Sequence, residues 1–91
     1  MKTIYKFPLM SGLGHQDVFT HRDCQVLKVD EQDGQLCLWA IVDNDEPLCN
    51  DLKIKIVGTG HQFDDPHAHI HLNSVIMSDG FVWHVFKRSI P

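Results

Sequence analysis

The chain has 91 residues, 43% of them hydrophobic, with mean hydropathy −0.17 and a formal net charge of −4. That length supports a single small domain over 1–91, and the apolar fraction excludes a disordered chain. The eight lysines and arginines are scattered, which argues against a general grip on nucleic-acid backbones, and no apolar run approaches the ~20 residues of a membrane span.

Short runs rich in Val, Ile, Leu and aromatic residues, separated by turn residues every 8–12 positions, predict an all-β fold. Strands are expected at 2–7, 16–21, 24–31, 36–43, 52–58, 67–77 and 82–88. The opening "MKTIYKFPLM" has no run of signal-peptide length. Between the third and fourth strands, Asp33-Gly34 is the dipeptide of a two-residue type I′ hairpin, whose central residues both take positive φ. That turn sets Gln32 opposite Gln35, Val29 opposite Leu38 and Leu27 opposite Ala40. One face then collects Leu27, Val29, Leu36, Leu38, Ala40 and Val42, a core face. The other carries Val26, Lys28, Asp30, Cys37, Trp39 and Ile41. The strand at 36–42 is apolar on both sides, so it is expected to be central, with a second sheet over Trp39. A small antiparallel β-sandwich or flattened barrel of six to seven short strands follows.

Three cysteines, Cys24, Cys37 and Cys49, form no C-x-x-C pair, which favours a reducing compartment over a disulfide framework or zinc knuckle. The acidic "DNDEP" at 43–47 lacks the glycine and closing glutamate of a calcium loop and reads as a solvated turn. Two G-x-G-H segments, at 12–15 and 58–61, begin like a phosphate loop. In the second, however, Phe63 stands where the third glycine belongs, and Asp64, Asp65 and Pro66 replace the helix start. A turn is the better expectation, with the amides of Gly58, Thr59, Gly60 and His61 still available to a ligand.

His67, His69 and His71 occupy alternate strand positions, so their imidazoles share one face at ~6.6 Å spacing. Asp79-Gly80, read as a second two-residue hairpin, pairs Ser78 with Phe81, Ile76 with Trp83 and Val75 with His84. Ala68, Ile70, Leu72, Ser74, Ile76, Phe81, Trp83 and Val85 then point inward. The three histidines share the outward face with Asn73, Val75, Met77, Val82, His84 and Phe86. In that register His84 lies ~13 Å along from His71 and cannot complete a metal site with it. A Zn²⁺ site would instead need His61 to fold back on His67 and His69, with Asp64 or Asp65 as the fourth ligand or as a base. The competing reading is a titratable row, open to solvent or lining an interface that weakens as pH falls through ~6.5. No Ser/His/Asp or Cys/His arrangement stands out, and Ser11, Ser74, Ser78 and Ser89 have no elbow motif. Trp39 on one sheet, and Val75, Met77, Val82 and Phe86 on the other, make apolar faces that favour a homo-oligomer.

Four segments, "MKTIYKFPL" at the start, "LCLWAIVD" at 36–43, "KIVGTGHQF" at 55–63 and "VWHVF" at 82–86, together resemble a family of small uncharacterised proteins of bacteriophage and prophage genomes. Gly58, Thr59, Gly60 and His61 match that family's G-T-G-H turn, and Trp83-His84 match its closing W-H. The chain departs from the pattern in "MSGLGHQDVFTHRDC", which is longer and lacks a Met-Pro, and in its H-x-H-x-H row. The family has no established catalytic residues. The resemblance implies a non-enzymatic β accessory protein of viral origin, working in the host cytoplasm by inhibiting a host protein or sequestering a small host metabolite or nucleotide. Contact is expected through Trp39, Met77, His84, Phe86 and the loop of Gly58, Thr59, Gly60, His61, Asp64 and Asp65. A zinc-binding module or small zinc enzyme using His61, His67 and His69 is the alternative.

Overall fold

The computed structural model describes residues 1–89. Seven strands run in chain order as β1 (Lys2–Pro8), β2 (Gly14–His21), β3 (Gln25–Gln32), β4 (Gln35–Asp43), β5 (Leu48–Gly58), β6 (His69–Ile76) and β7 (Val82–Arg88). They form two antiparallel sheets, a three-stranded one ordered β1-β4-β3 and a four-stranded one ordered β2-β5-β7-β6. The fold is therefore a sandwich and not a closed barrel. Among the described residues the only helical piece is a 3₁₀ turn at Pro66–Ala68, which delays to His69 the strand expected from 67.

The apolar alternation of β4 builds the middle of the core. Leu36, Leu38, Ala40 and Val42 are each at most 1% exposed and pack with Val18, Ile54, Ile56, Val75 and Val85 from the opposite sheet. Alternation necessarily turns Trp39 away from that core. It lies on the outer side of the three-stranded sheet, between Lys6 of β1 and Lys28 of β3 in the strand ladder. The second sheet packs against the other side of β4, so it does not cover Trp39 as expected, and Trp39 is half-buried among the described residues.

The first hairpin has the expected turn. Asp33 and Gly34 have φ of 52° and 82°, the left-handed pair that a type I′ turn requires, and Gln32 faces Gln35. Further along, a bulge at Leu27 shifts the ladder so that Val26, not Leu27, faces Ala40. Leu27 is 46% exposed as a result, while Val26 packs on the core.

The second hairpin differs from the expectation. Gly80 has a φ of 94°, but Asp79 stays at negative φ and its carboxylate accepts from the Phe81 N–H at 3.0 Å. The Gly80 N–H donates to the Met77 carbonyl at 2.9 Å, and the Met77 N–H donates to the Phe81 carbonyl at 2.7 Å. This is a three-residue loop, Ser78-Asp79-Gly80, with one left-handed glycine. Ile76 therefore faces Val82, and Val75 faces Trp83, one residue out of the expected register. Val75 and Met77 enter the core at 3% and 6% exposure, whereas Ile76 stands at 76% and Phe81 at 61%. A bulge at Leu72 then restores the original parity, so that His71 faces Phe86 and His69 faces Arg88 on the outer side.

Side chains lock the two sheets together along the β3–β6 seam. The Asn73 amide donates to the Val29 carbonyl at 2.6 Å. The backbone N–H and hydroxyl of Ser78 both donate to one Glu31 carboxylate oxygen, at 2.9 and 2.7 Å.

Candidate functional site

The outer side of the four-stranded sheet gathers most of the unusual chemistry of the chain. The slipped register sets Ser74 opposite His84, and the bulge at Leu72 brings His71 onto the same side. The Ser74 hydroxyl lies 2.7 Å from His84 Nδ1 and 2.9 Å from His71 Nε2. On its other side His84 Nε2 meets the Thr59 hydroxyl at 2.7 Å. These four side chains form one hydrogen-bonded row. Neutral imidazoles offer one donor and one acceptor, so the row satisfies itself in either of two directions. Protons run from His71 through Ser74 and His84 to Thr59, or from Thr59 back to His71. In each case the hydroxyl at one end is set by the tautomer at the other.

Thr59 belongs to the turn that follows β5, and the glycines around it have separate reasons. A Cβ on Gly58 would lie 2.5 Å from His61 Nδ1 and 3.4 Å from Trp83 Cζ3, so only glycine lets the His61 ring fold against the strand. Gly60 has a φ of 84°, a left-handed conformation that an L side chain resists. The His61 N–H closes the turn on the Gly58 carbonyl at 3.2 Å. Across from this turn, the second hairpin presents Phe81 and Trp83, whose rings stack 5.6 Å apart at 9° between planes. Gly58, Thr59, His61, Phe81, Val82 and Trp83 line a cleft of about 340 Å³.

The rest of the 59–68 loop lies across the same sheet face. Phe63 packs edge-on to Phe86, with centroids 4.8 Å apart, and to His69 at 5.5 Å. Lys55 Nζ sits 5.2 Å from the Phe63 centroid and 3.6 Å from the Asp65 carboxylate. His69 is held beneath this loop, with only 2% of its side chain exposed and Nδ1 donating to the Asp65 carbonyl at 2.9 Å.

The histidine row thus divides into three roles. His67 is exposed on the 3₁₀ turn, His69 is a buried loop anchor, and His71 ends the hydroxyl–imidazole row. His61, His67 and His69 do not converge, and among the described residues no three His, Cys, Asp or Glu side chains are placed to hold a metal ion. His84 does not lie the expected ~13 Å from His71: once the register slips, the Ser74 hydroxyl bridges the two imidazoles. Of the expected contact residues, Thr59, His84 and Phe86 lie on this face, His61 lines the cleft beside Gly58 and Trp83, and Asp65 is tied to the face through Lys55. Asp64 is exposed and accepts from the Gln62 amide. Met77 is core, and Trp39 lies on the outer side of the other sheet. Sequence reasoning missed Ser74 and Phe81, and only the turn geometry could have revealed them.

No curated protein and no solved structure matches the chain. A family model described as a domain of unknown function, DUF7352, matches residues 1–91, so the chain belongs to that family.

Proposed function

We propose that the protein is a binding protein, not a catalyst, and that its ligand is a small flat molecule with hydrogen-bonding edges, such as a nucleobase-bearing metabolite. The observation that carries this reading is the cleft where the G-T-G-H turn meets the stacked Phe81–Trp83 pair. Its volume falls in the range of small-molecule sites, ~300–1,000 Å³, which combine aromatic walls with a few polar groups. Phe81 offers a ring face, while His61 and Thr59 offer donors and acceptors. The His71–Ser74–His84 row behind Thr59 can switch the hydroxyl between donor and acceptor to suit the ligand. Both ring nitrogens of His84 are taken by hydroxyls, so no carboxylate holds it as an imidazolium. That weighs against a Ser74 nucleophile.

The same reading places the protein among phage accessory proteins that sequester a host signalling molecule in the host cytoplasm. The rival reading, capture of a host protein or of a second copy on this face, is favoured by Ile76, which stands 76% exposed near the cleft. Mass spectrometry of metabolites released from the denatured protein after expression in host cells separates the two. A retained nucleotide or nucleoside that Phe81→Ala loses supports the cleft, since base–aromatic stacking is worth ~1–3 kcal/mol per base. Retention of no metabolite, with a host protein or second copy lost on Ile76→Lys, supports the rival.

A further inference from the structure

An unpaired strand edge is a template for another strand, and three of the four edges in this sandwich are guarded. β3 and β6 face each other across the seam held by Asn73 and Glu31. The ladder of β2 shifts register between Val18 and Thr20, which disrupts it as a template. β1 has neither protection. Its seven residues pair with β4 from Lys2 to Pro8 without a shift, and among the described residues no strand lies along its other side.

The ladder fixes which groups β1 presents on that side. The Asn44 N–H donates to the Met1 carbonyl at 3.0 Å, and the Leu9 N–H donates to the Leu36 carbonyl at 2.8 Å. Antiparallel pairing alternates along a strand, so the odd-numbered residues of β1 bond to β4. Lys2, Ile4 and Lys6 therefore aim both N–H and C=O away from the sheet. Pro8 also takes an outward position, where its missing N–H removes no bond to β4. Tyr5 points toward the opposite sheet and pairs with the buried Ala40, yet it is 40% exposed because no strand flanks it on the open side.

This edge is complementary to itself. An antiparallel copy reaches the outward groups only if even-numbered residues face even-numbered ones, so a two-fold axis falls on Ile4, Tyr5 or Lys6. An axis at Ile4 sets Lys2 opposite Lys6 of the second copy, and an axis at Lys6 sets that lysine opposite itself. Like charges directly opposite repel. An axis at Tyr5 opposes no two lysines and aligns the whole strand. It pairs Ile4 with Lys6, Thr3 with Phe7 and Lys2 with Pro8. The two Tyr5 residues then meet at a non-hydrogen-bonded position, where cross-strand side chains come closest. We propose that β1 pairs with β1 of a second copy about an axis at Tyr5, joining the two three-stranded sheets into one continuous sheet. The contact lies on the other sheet from the cleft at Phe81, so either proposal can fail without the other.

The test is sedimentation of the full chain from about 10 to about 500 µM, with amide exchange followed at both ends of that range. A dimer should form, and the Lys2, Ile4 and Lys6 amides should exchange about fivefold more slowly at the high concentration. The Thr3, Tyr5 and Phe7 amides, already bonded to β4, should change less. Ile4 is 57% exposed, so two variants there keep the fold and separate edge pairing from association of apolar faces. Ile4→Glu places a carboxylate opposite Lys6 and should keep or strengthen the dimer. Ile4→Lys places like charges there twice and should weaken it by about tenfold. Monomer mass up to about 500 µM overturns the proposal. So does a dimer that leaves the three outward amides unprotected, one that both Ile4 variants weaken alike, or one lost on Ile76→Lys in the other sheet.

Discussion

The two Asp-Gly hairpins of this protein carry the same dipeptide and make different turns. Asp33-Gly34 has both residues at positive φ and joins β3 to β4 with the shortest loop. Asp79-Gly80 has only the glycine there, and the loop takes in Ser78 as a third residue. The surroundings account for the difference. Ser78 is held by two hydrogen bonds to Glu31 across the sheet seam, and the resulting register turns Val75 and Met77 into the core. A dipeptide limits the menu of turns, and tertiary contacts choose from it.

The largest expected effect of that choice lies at neighbouring positions of β6. In the three-residue register Val75→Lys buries a charge and should destabilise by about 4 kcal/mol or more, while Ile76→Lys should stay within about 0.5 kcal/mol of the parent. Urea unfolding of the two variants reads this directly. The reverse ranking would restore the two-residue turn and its faces. A core truncation in the first hairpin, Leu38→Ala at 0% exposure, should cost about 2–5 kcal/mol and serves as a scale for both.

The seam comes next. Asn73→Ala leaves the Val29 carbonyl without its side-chain donor and should cost about 1–2 kcal/mol, with faster amide exchange along the β3–β6 edge. The turns themselves should respond unequally. Asp33→Val forces a β-branched residue to positive φ and should cost about 1–2 kcal/mol. Asp79→Val loses only the bond to the Phe81 N–H and should cost less, and equal melting temperatures for the pair would contradict the assigned turns.

The smallest effect is on the acid side. The Glu31 N–H and Lys28 hold the Asp30 carboxyl below its ordinary value, and the Asp45 N–H and the chain's terminal ammonium do the same for Asp43. Unfolding raises both back toward ~3.9, so the unfolded chain binds more protons in that window. Their stabilisation is therefore present above pH ~4 and fades as pH falls below it. Asp30→Asn should flatten the decline in stability over that acid range, as measured by chemical denaturation at a series of pH values. An unchanged slope would show that the carboxylate interactions do not survive in solution.

Much of the sandwich was legible in local pattern alone. Alternating Leu36, Leu38, Ala40 and Val42 identify a central strand, Asp33-Gly34 identifies its hairpin, and the outward side of His69, His71, His84 and Phe86 follows from alternation. The candidate site was only half legible, because the G-T-G-H turn and the W-H pair mark themselves as unusual whereas Ser74 and Phe81 do not. Their place depends on a one-residue slip at the turn and a compensating bulge at Leu72, and neither leaves a mark in residue type.

The chain's own residues decide class, strand count and which segments are half-buried, since these depend on neighbours two positions apart. Sheet order, the outward direction of Trp39 and the meeting of Ser74 with two histidines depend on contacts between residues distant in the chain. Packing energy shared across the whole sandwich selects among registers that local propensity leaves nearly equal.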